Sequence, residues 1–231
     1  MDKQAIENVA RELQKKIWLA HRATRCTETP ISLAELVSLL DPEVAAYNLG
    51  VSFEYHDKIV PFGSRNMSFE IAGLIDRQSG KIAVSRKFPS ETIRFTGAHE
   101  IGHWILHPQE VMHRDRPIKG LAYEAIHRTC QEQEADYFAA CFLMPRKLVQ
   151  KAVENIFNTK VPFEFNEHTS FWLCPTDPES LLYPENPLDR ALALASVGTY
   201  KGQHFTPLAK QFQVSSTTMA IRLHELNLVT K

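Results

Sequence analysis

Hydrophobic and polar positions follow regular patterns along the first part of the chain. Apolar residues recur every three or four positions over residues 4–20, which predicts an amphipathic helix. Ser32 with Glu35 three residues later forms a capping box, which predicts the start of a second helix. A short strand is expected over residues 51–55, and residues 71–85 hold two β-branched runs around a polar turn, typical of a hairpin. These patterns predict helices combined with a small sheet.

The pattern becomes mainly helical after residue 90. A helix is predicted over residues 91–107, where Pro108 ends it. Residues 108–120 are expected to form a loop, and a second long helical pattern covers residues 123–143. Two long helices joined by a loop are therefore expected in the middle of the chain.

The last third of the chain divides into an irregular stretch and further helices. Residues 160–187 are rich in proline and aromatic residues, so we expect them to pack irregularly onto the body. Helical patterns return over residues 188–198 and 206–227. In the latter, two short helical segments flank a turn at Val214 and Ser215, an order typical of a helix-turn-helix.

Composition and charge exclude several classes of protein. The 231 residues are 44% hydrophobic and 23% charged, which is typical of a globular protein. The net charge of −1 gives no electrostatic reason to expect a nucleic-acid or membrane partner. No apolar run approaches the roughly 20 residues that span a bilayer, and the amino-terminal residues do not resemble a signal peptide. The cysteines lack CxxC spacing and are expected to be free thiols in a reducing cytoplasm: Cys26, Cys130, Cys141 and Cys174.

The segment HEIGHWILH, residues 99–107, places histidines and a glutamate on an apolar helix. His99 and His103 are one turn apart on the same face, a spacing that suits two ligands of one tetrahedral zinc. Glu100 is rotated by about 100° around the axis, where it can reach a zinc-bound water without binding the metal. This HExxH arrangement is typical of metallopeptidases, although three specified positions also recur by chance.

His107 is not expected to be a third ligand. It follows His99 by eight residues, which is about 12 Å along a helix with a rise of ~1.5 Å per residue. Zinc–nitrogen bonds are only about 2 Å long. We therefore predict that His107 caps the carboxyl end of the helix, where the helix dipole favours it.

The next helical segment, residues 130–145, supplies candidates for the third ligand. Glu132 shares a face with Asp136, one turn further on, whereas Glu134 lies on another face and is expected at the rim. We favour Glu132 as the ligand and keep Glu134 as the alternative. Asp136 is then placed to accept a hydrogen bond from the free ring N–H of a zinc-binding histidine.

HEIGHWILH followed by EQEADYFAACFLMP resembles the ImmA/IrrE-type metallopeptidases, which carry two such motifs in this order. The resemblance covers approximately residues 69–145, and we find no family counterpart for residues 146–187. It implies that His99, His103 and Glu132 bind the metal and that Glu100 is the catalytic base. The implied cofactor is one zinc ion, although manganese or iron also suits two histidines and a carboxylate.

The predicted fold class is α+β. We expect a mostly helical, zincin-like metallopeptidase core with a small hairpin or sheet over residues 1–155. Residues 156–231 are expected to form the second domain. It contains an insertion, part of the segment 146–187 that has no family counterpart, and then a helical region resembling a helix-turn-helix. The resemblance implies a cytoplasmic zinc endopeptidase that cleaves a protein, typically a helix-turn-helix transcriptional repressor, and so releases a stress or mobile-element response. The hairpin at 71–85 is a candidate edge for an extended substrate.

The alternative hypothesis is a metal-binding, DNA-associated transcriptional regulator without peptidase activity. A structural zinc is normally closed by four protein ligands, whereas three are evident here beside a candidate base. Direct DNA binding is not expected, because the helical segment 215–226 offers only Arg222 and His224 against Glu225. The loop residues that could stabilise an oxyanion stay equal candidates: His113, Arg114, Arg116, Tyr123 and His127.

Overall fold

Helices and short strands form the mixed α+β structure that the sequence predicts. The computed structural model describes residues 1–25, 30–57, 59, 71–109, 112–114 and 129–230. The chain divides into two compact units, Met1–Leu143 and Met144–Lys231. The predicted domain boundary after residue 155 lies about one helix further along and stays a prediction.

The first unit contains five of the described helices and a four-stranded sheet. The helices are α1 (Lys3–Thr24), α2 (Leu33–Leu39), α3 (Pro42–Leu49), α4 (Ser90–Leu106) and α5 (Cys130–Leu143). The strands are β1 (Ser52–His56), β2 (Gly73–Asp76), β3 (Lys81–Ser85) and β4 (Met112–Arg114). The predicted helices over 4–20 and 91–107 are thus confirmed. Of the helix predicted over 123–143, residues 130–143 are helical, but Thr129 is not, and residues 123–128 lie outside the described residues.

Short-range signals explain where α2 and α3 begin and end. The Ser32 side chain accepts a hydrogen bond from the Glu35 backbone N–H at 3.2 Å, which confirms the predicted helix start. Helix α3 was missed by the sequence analysis. Asp41 caps it by accepting from the Glu43 N–H at 2.9 Å, and Gly50 ends it in the left-handed region, with φ at 74°.

The sheet has the strand order β1-β3-β2-β4. Strands β2 and β3 pair antiparallel as the predicted hairpin, β1 joins β3 in parallel, and β4 joins β2 antiparallel. Strand β4 lies within residues 108–120, which were wrongly expected to be loop throughout. Because β1 and β4 cover the two sides of the hairpin, the expectation of a hairpin edge open to substrate was also wrong.

Close packing of α4 against α5 brings the two sequence motifs together. A Cβ atom on Gly102 would lie 3.1 Å from the Phe138 ring and 3.2 Å from the Ala135 backbone, so only glycine fits comfortably. Helix α1 also packs on α5, where Gln14 donates hydrogen bonds to the carbonyls of Cys141 and Phe142. The glycine inside HEIGH therefore sets how closely the two helices approach.

The second unit is mainly helical. Its helices are α6 (Arg146–Phe157), α7 (Glu167–Leu173), α8 (Glu179–Leu182), α9 (Asp189–Ser196), α10 (Leu208–Gln211) and α11 (Ser216–Glu225). A two-stranded sheet joins β5 (Thr199–Tyr200) to β6 (Gln203–His204). Helices α10 and α11 occupy the predicted positions and bury Phe212, Met219 and Leu223. A helix-turn-helix at this place stays a prediction.

Two general expectations bear on the described residues. No helix among them is long and apolar enough to cross a membrane. The thiols of Cys130 and Cys174 are free, as predicted, and Cys26 lies outside the described residues.

Candidate metal centre

Helices α4 and α5 bring His99, His103 and Glu132 to one point. One ligand atom from each side chain lies within 4.8 Å of the other two. The two histidine Nε2 atoms are 3.0 Å apart. The Glu132 carboxylate oxygens lie 3.4 Å from Nε2 of His99 and 3.5 Å from Nε2 of His103. The structure therefore gathers the three residues that the sequence analysis named as metal ligands.

The spacing of these atoms fits a single tetrahedral ion. Ligand atoms about 2.0–2.1 Å from zinc at tetrahedral angles lie about 3.3 Å from one another. The two Nε2 atoms are 3.0 Å apart, Oε2 of Glu132 is 3.4 Å from His99 Nε2, and Oε1 of Glu132 is 3.5 Å from His103 Nε2, so each of these separations lies close to this value. Two imidazoles and one carboxylate are also a donor set that zinc and related divalent metals accept.

A hydrogen bond from His99 fixes which of its ring nitrogens faces this point. Nδ1 of His99 lies 2.9 Å from Oδ1 of Asp136. An ionised carboxylate can only accept, so Nδ1 carries the proton and a neutral ring keeps its lone pair on Nε2. That lone pair is directed at His103 and Glu132. Asp136 thus lies where the sequence analysis placed it, and its effect on metal binding stays a prediction.

The electrostatic surroundings keep Glu132 ionised. Partial burial raises the pKa of its carboxyl, but hydrogen bonding and attraction from the His103 and His99 imidazoles outweigh burial and hold the pKa well below its usual range. Both imidazoles are almost fully buried, whereas the Glu132 side chain is 28% exposed. The Glu132 carboxylate is therefore held in its ionised form beside the two imidazoles.

Glu100 is fully buried on the turn of α4 that carries His99. The first residue of β2, Gly73, leaves the space that the Glu100 carboxyl group fills. A Cβ atom at position 73 would overlap the carboxylate and lie 2.7 Å from Cδ and 2.8 Å from Cγ. Strand β2 thus contributes to the site because the glycine at position 73 has no side chain and leaves room for Glu100.

Arg77 was not singled out by the sequence analysis. Its guanidinium donates hydrogen bonds to the backbone carbonyls of His103, Trp104 and His107 at 2.9, 2.9 and 3.0 Å. It also lies over the Trp104 ring, 4.5 Å from the centroid. A cation on the last carbonyls of a helix is favourable electrostatically. Arg77 therefore anchors the end of α4 that carries the ligands.

His107 and Glu134 depart from what was expected of them. His107 does end α4, because its backbone N–H bonds to the His103 carbonyl, but its side chain also turns towards His103. Glu134 is not at the rim: its side chain is 17% exposed, less than that of Glu132, and accepts from Nε2 of His107 at 2.9 Å. Neither belongs to the three-residue ligand group.

The candidate oxyanion-stabilising residues cannot be placed from the structure. The side chains of His113 and Arg114, and the whole of Arg116, Tyr123 and His127, lie outside the described residues. Within the part of the chain that the structure describes, the site consists of three converging donors, a buried carboxylate on the ligand helix and two outer carboxylates.

Residues 64–170 match the sequence model of a peptidase family described as the IrrE N-terminal-like domain. This segment contains both HEIGHWILH and EQEADYFAACFLMP, so the predicted resemblance to ImmA/IrrE metallopeptidases is confirmed. No curated protein matches the chain in sequence.

Proposed function

We propose that this protein, whose residues 64–170 match the model of the IrrE N-terminal-like domain, is a metal-dependent endopeptidase in which His99, His103 and Glu132 bind one zinc ion. The observation that carries the proposal is the convergence of these three donors at separations of 3.0, 3.4 and 3.5 Å. Three protein ligands leave a coordination position for water or substrate, as catalytic zinc sites require.

Glu100 is the proposed general base. A bound zinc ion supplies Lewis acidity, which makes a water easier to deprotonate and a peptide carbonyl easier to attack. Glu100 accepts the proton of the attacking water and returns it to the nitrogen of the leaving amine. Its full burial beside the glycine at position 73 restricts the carboxylate to few orientations, which suits a group that must transfer a proton along a fixed path.

The proposed substrate is a protein, specifically a helix-turn-helix transcriptional repressor, whose cleavage releases a stress or mobile-element response in the cytoplasm. The support for this substrate class is the resemblance to the ImmA/IrrE family. An extended substrate segment would add to β4, which lies outside β2 on the side of the sheet away from β1.

A structural-zinc regulator that binds DNA directly has less support. Arg222, one of the two basic residues considered for DNA contact, is 1% exposed and donates to the Met144 carbonyl at 3.1 Å and to Glu225 at 3.4 Å. A guanidinium buried in this way does not reach a phosphate. The described residues also place three, not four, protein donors at the candidate metal centre.

The test is metal-dependent cleavage of a repressor. The purified protein is incubated with candidate helix-turn-helix repressors of the same organism, and any fragments are identified by mass spectrometry. We expect cleavage that a chelator abolishes and that one equivalent of zinc restores. Cleavage that persists at the wild-type rate after the metal has been removed would overturn the proposed mechanism.

A further inference from the structure

We propose that His107 and Glu134 are positioning residues that hold His103 in the tautomer that binds metal. This inference rests on the proposed metal site and extends it, because it concerns residues outside the ligand group. The three side chains form a continuous chain of contacts from the candidate metal centre to the first turns of α5. Nδ1 of His103 lies 3.0 Å from Nδ1 of His107, and Nε2 of His107 lies 2.9 Å from Oε2 of Glu134.

The donor and acceptor capacities of these three side chains determine which atom donates in each hydrogen bond. The Glu134 carboxylate can only accept, so Nε2 of His107 carries a proton and donates it. A neutral His107 then has a lone pair on Nδ1, which accepts from Nδ1–H of His103. The remaining lone pair of His103 lies on Nε2, the atom 3.5 Å from the Glu132 carboxylate. Both contacts together favour the His103 tautomer that can coordinate a metal.

Neighbouring groups hold His107, the middle one of these three side chains, in place. His107 is 5% exposed and His103 is 1% exposed, so water has little access to the bond between their rings. Arg77 fixes the backbone at both histidines through their carbonyl oxygens. The other carboxylate oxygen of Glu134 contacts the terminal amino group of Met1. His107 is therefore held from both its backbone and its ring.

The two ligand histidines are oriented in different ways. His99 reaches a carboxylate directly, through Asp136 at 2.9 Å. His103 lies one turn further along α4 and reaches its carboxylate through the ring of His107. Loss of an outer partner of a ligand histidine typically weakens metal binding roughly 10–100-fold. We expect His107 and Glu134 to matter on this scale although neither touches the metal.

The test measures zinc affinity of the full chain by competition with a chelator of known affinity. His107→Phe keeps a planar ring but removes both nitrogens, and Glu134→Gln keeps shape but removes the obligatory acceptor. The matched control is His168→Phe, at an exposed position of α7. We expect roughly 10–100-fold weaker binding in His107→Phe, a smaller loss in Glu134→Gln and no change in the control.

A spectroscopic measurement separates positioning from a merely structural role. Two-bond ¹H–¹⁵N NMR spectra distinguish the tautomers of each histidine. In the zinc-loaded wild type we expect the proton of His103 on Nδ1 and that of His107 on Nε2. Glu134→Gln should keep the protein folded and let the His107 tautomers mix. If His107→Phe does not fold, Glu134→Gln carries the test.

The outcomes distinguish this inference from the proposed function. One tightly bound zinc in wild type, with unchanged affinity and unchanged tautomers in both variants, would overturn the positioning role and leave the metal site standing. No zinc binding by the wild type would overturn both. Weaker zinc binding with an altered His107 tautomer in Glu134→Gln would establish the role.

Discussion

Helices α4 and α11 both bury polar or charged side chains, and they do so for different reasons. In α11 the guanidinium of Arg222 donates hydrogen bonds to a backbone carbonyl and to Glu225. In α4 the buried His99 and His103 turn ring nitrogens towards each other and towards a carboxylate of another helix. A buried polar group is therefore weak evidence of function by itself, whereas two imidazoles and a carboxylate that converge from two helices are a donor set that could hold a metal ion.

The largest effect is expected for Glu100, the proposed general base in α4. Glu100→Gln keeps the size of the group but removes its ability to accept a proton. We expect cleavage of the substrate to fall by about 10²–10⁴-fold, with zinc content unchanged. Glu91→Gln, in the first turn of the same helix, is the control. Cleavage by Glu100→Gln at the wild-type rate would contradict the assignment of the base.

The second-largest effect is expected for Glu132, the residue of α5 that lies beside His99 and His103. Glu132→Ala removes the one ionised donor, so we expect zinc affinity to fall by more than the roughly 100-fold that losing an outer partner costs. Elemental analysis and chelator competition measure the change. Glu12→Ala, on the exposed side of α1, is the control. Unchanged zinc binding in Glu132→Ala would show that another side chain supplies the third ligand.

A smaller effect on zinc affinity is expected for Asp136, one turn beyond Glu132 on α5. Asp136→Asn replaces an obligatory acceptor by an amide that can also donate, so the His99 tautomer is held less firmly. We expect roughly 10–100-fold weaker zinc binding, with little change in the thermal stability of the metal-free protein. Identical zinc affinities in variant and wild type would mean that Asp136 only supports the helix surface.

The smallest effect on zinc affinity is expected for a substitution of Arg222, the buried cation of α11. Arg222→Met fills similar space but leaves the Met144 carbonyl without its donor. We expect a loss of about 2 kcal/mol in the free energy of unfolding, measured by denaturant titration. Zinc affinity of the folded protein should stay as in wild type. If Arg222→Met were as stable as wild type but bound zinc more weakly, the contrast between a structural charge in α11 and a metal site in α4 would be wrong.

The candidate ligands could be found from the sequence because their signals are local. His99 and His103 share a helix face at i and i+4, and Glu132 and Asp136 repeat that spacing in the next motif. Gly102 lies within the first of these motifs, where it permits the close packing of α4 on α5. In each case periodicity within one helix was enough.

The features that were missed depend on contacts between distant segments. The pairing of His107 with Glu134 joins residues 27 apart, and Arg77 reaches carbonyls 26 to 30 residues away. Arg222 was counted among the basic residues available for DNA contact, yet it is buried and its partner carbonyl is 78 residues distant. No local pattern encodes such partners. The start of α3, by contrast, had a local signal in Asp41 and Pro42 that was overlooked.

The most direct test of the account is the metal environment of the purified full-length chain. Elemental analysis gives the stoichiometry, and X-ray absorption at the metal edge gives the ligand types and distances. We predict one zinc per chain with two imidazole nitrogens at about 2.0–2.1 Å and oxygen donors in the remaining positions. A chain that binds no divalent metal, or one whose metal has sulfur ligands or no imidazole, would contradict the site formed by His99, His103 and Glu132.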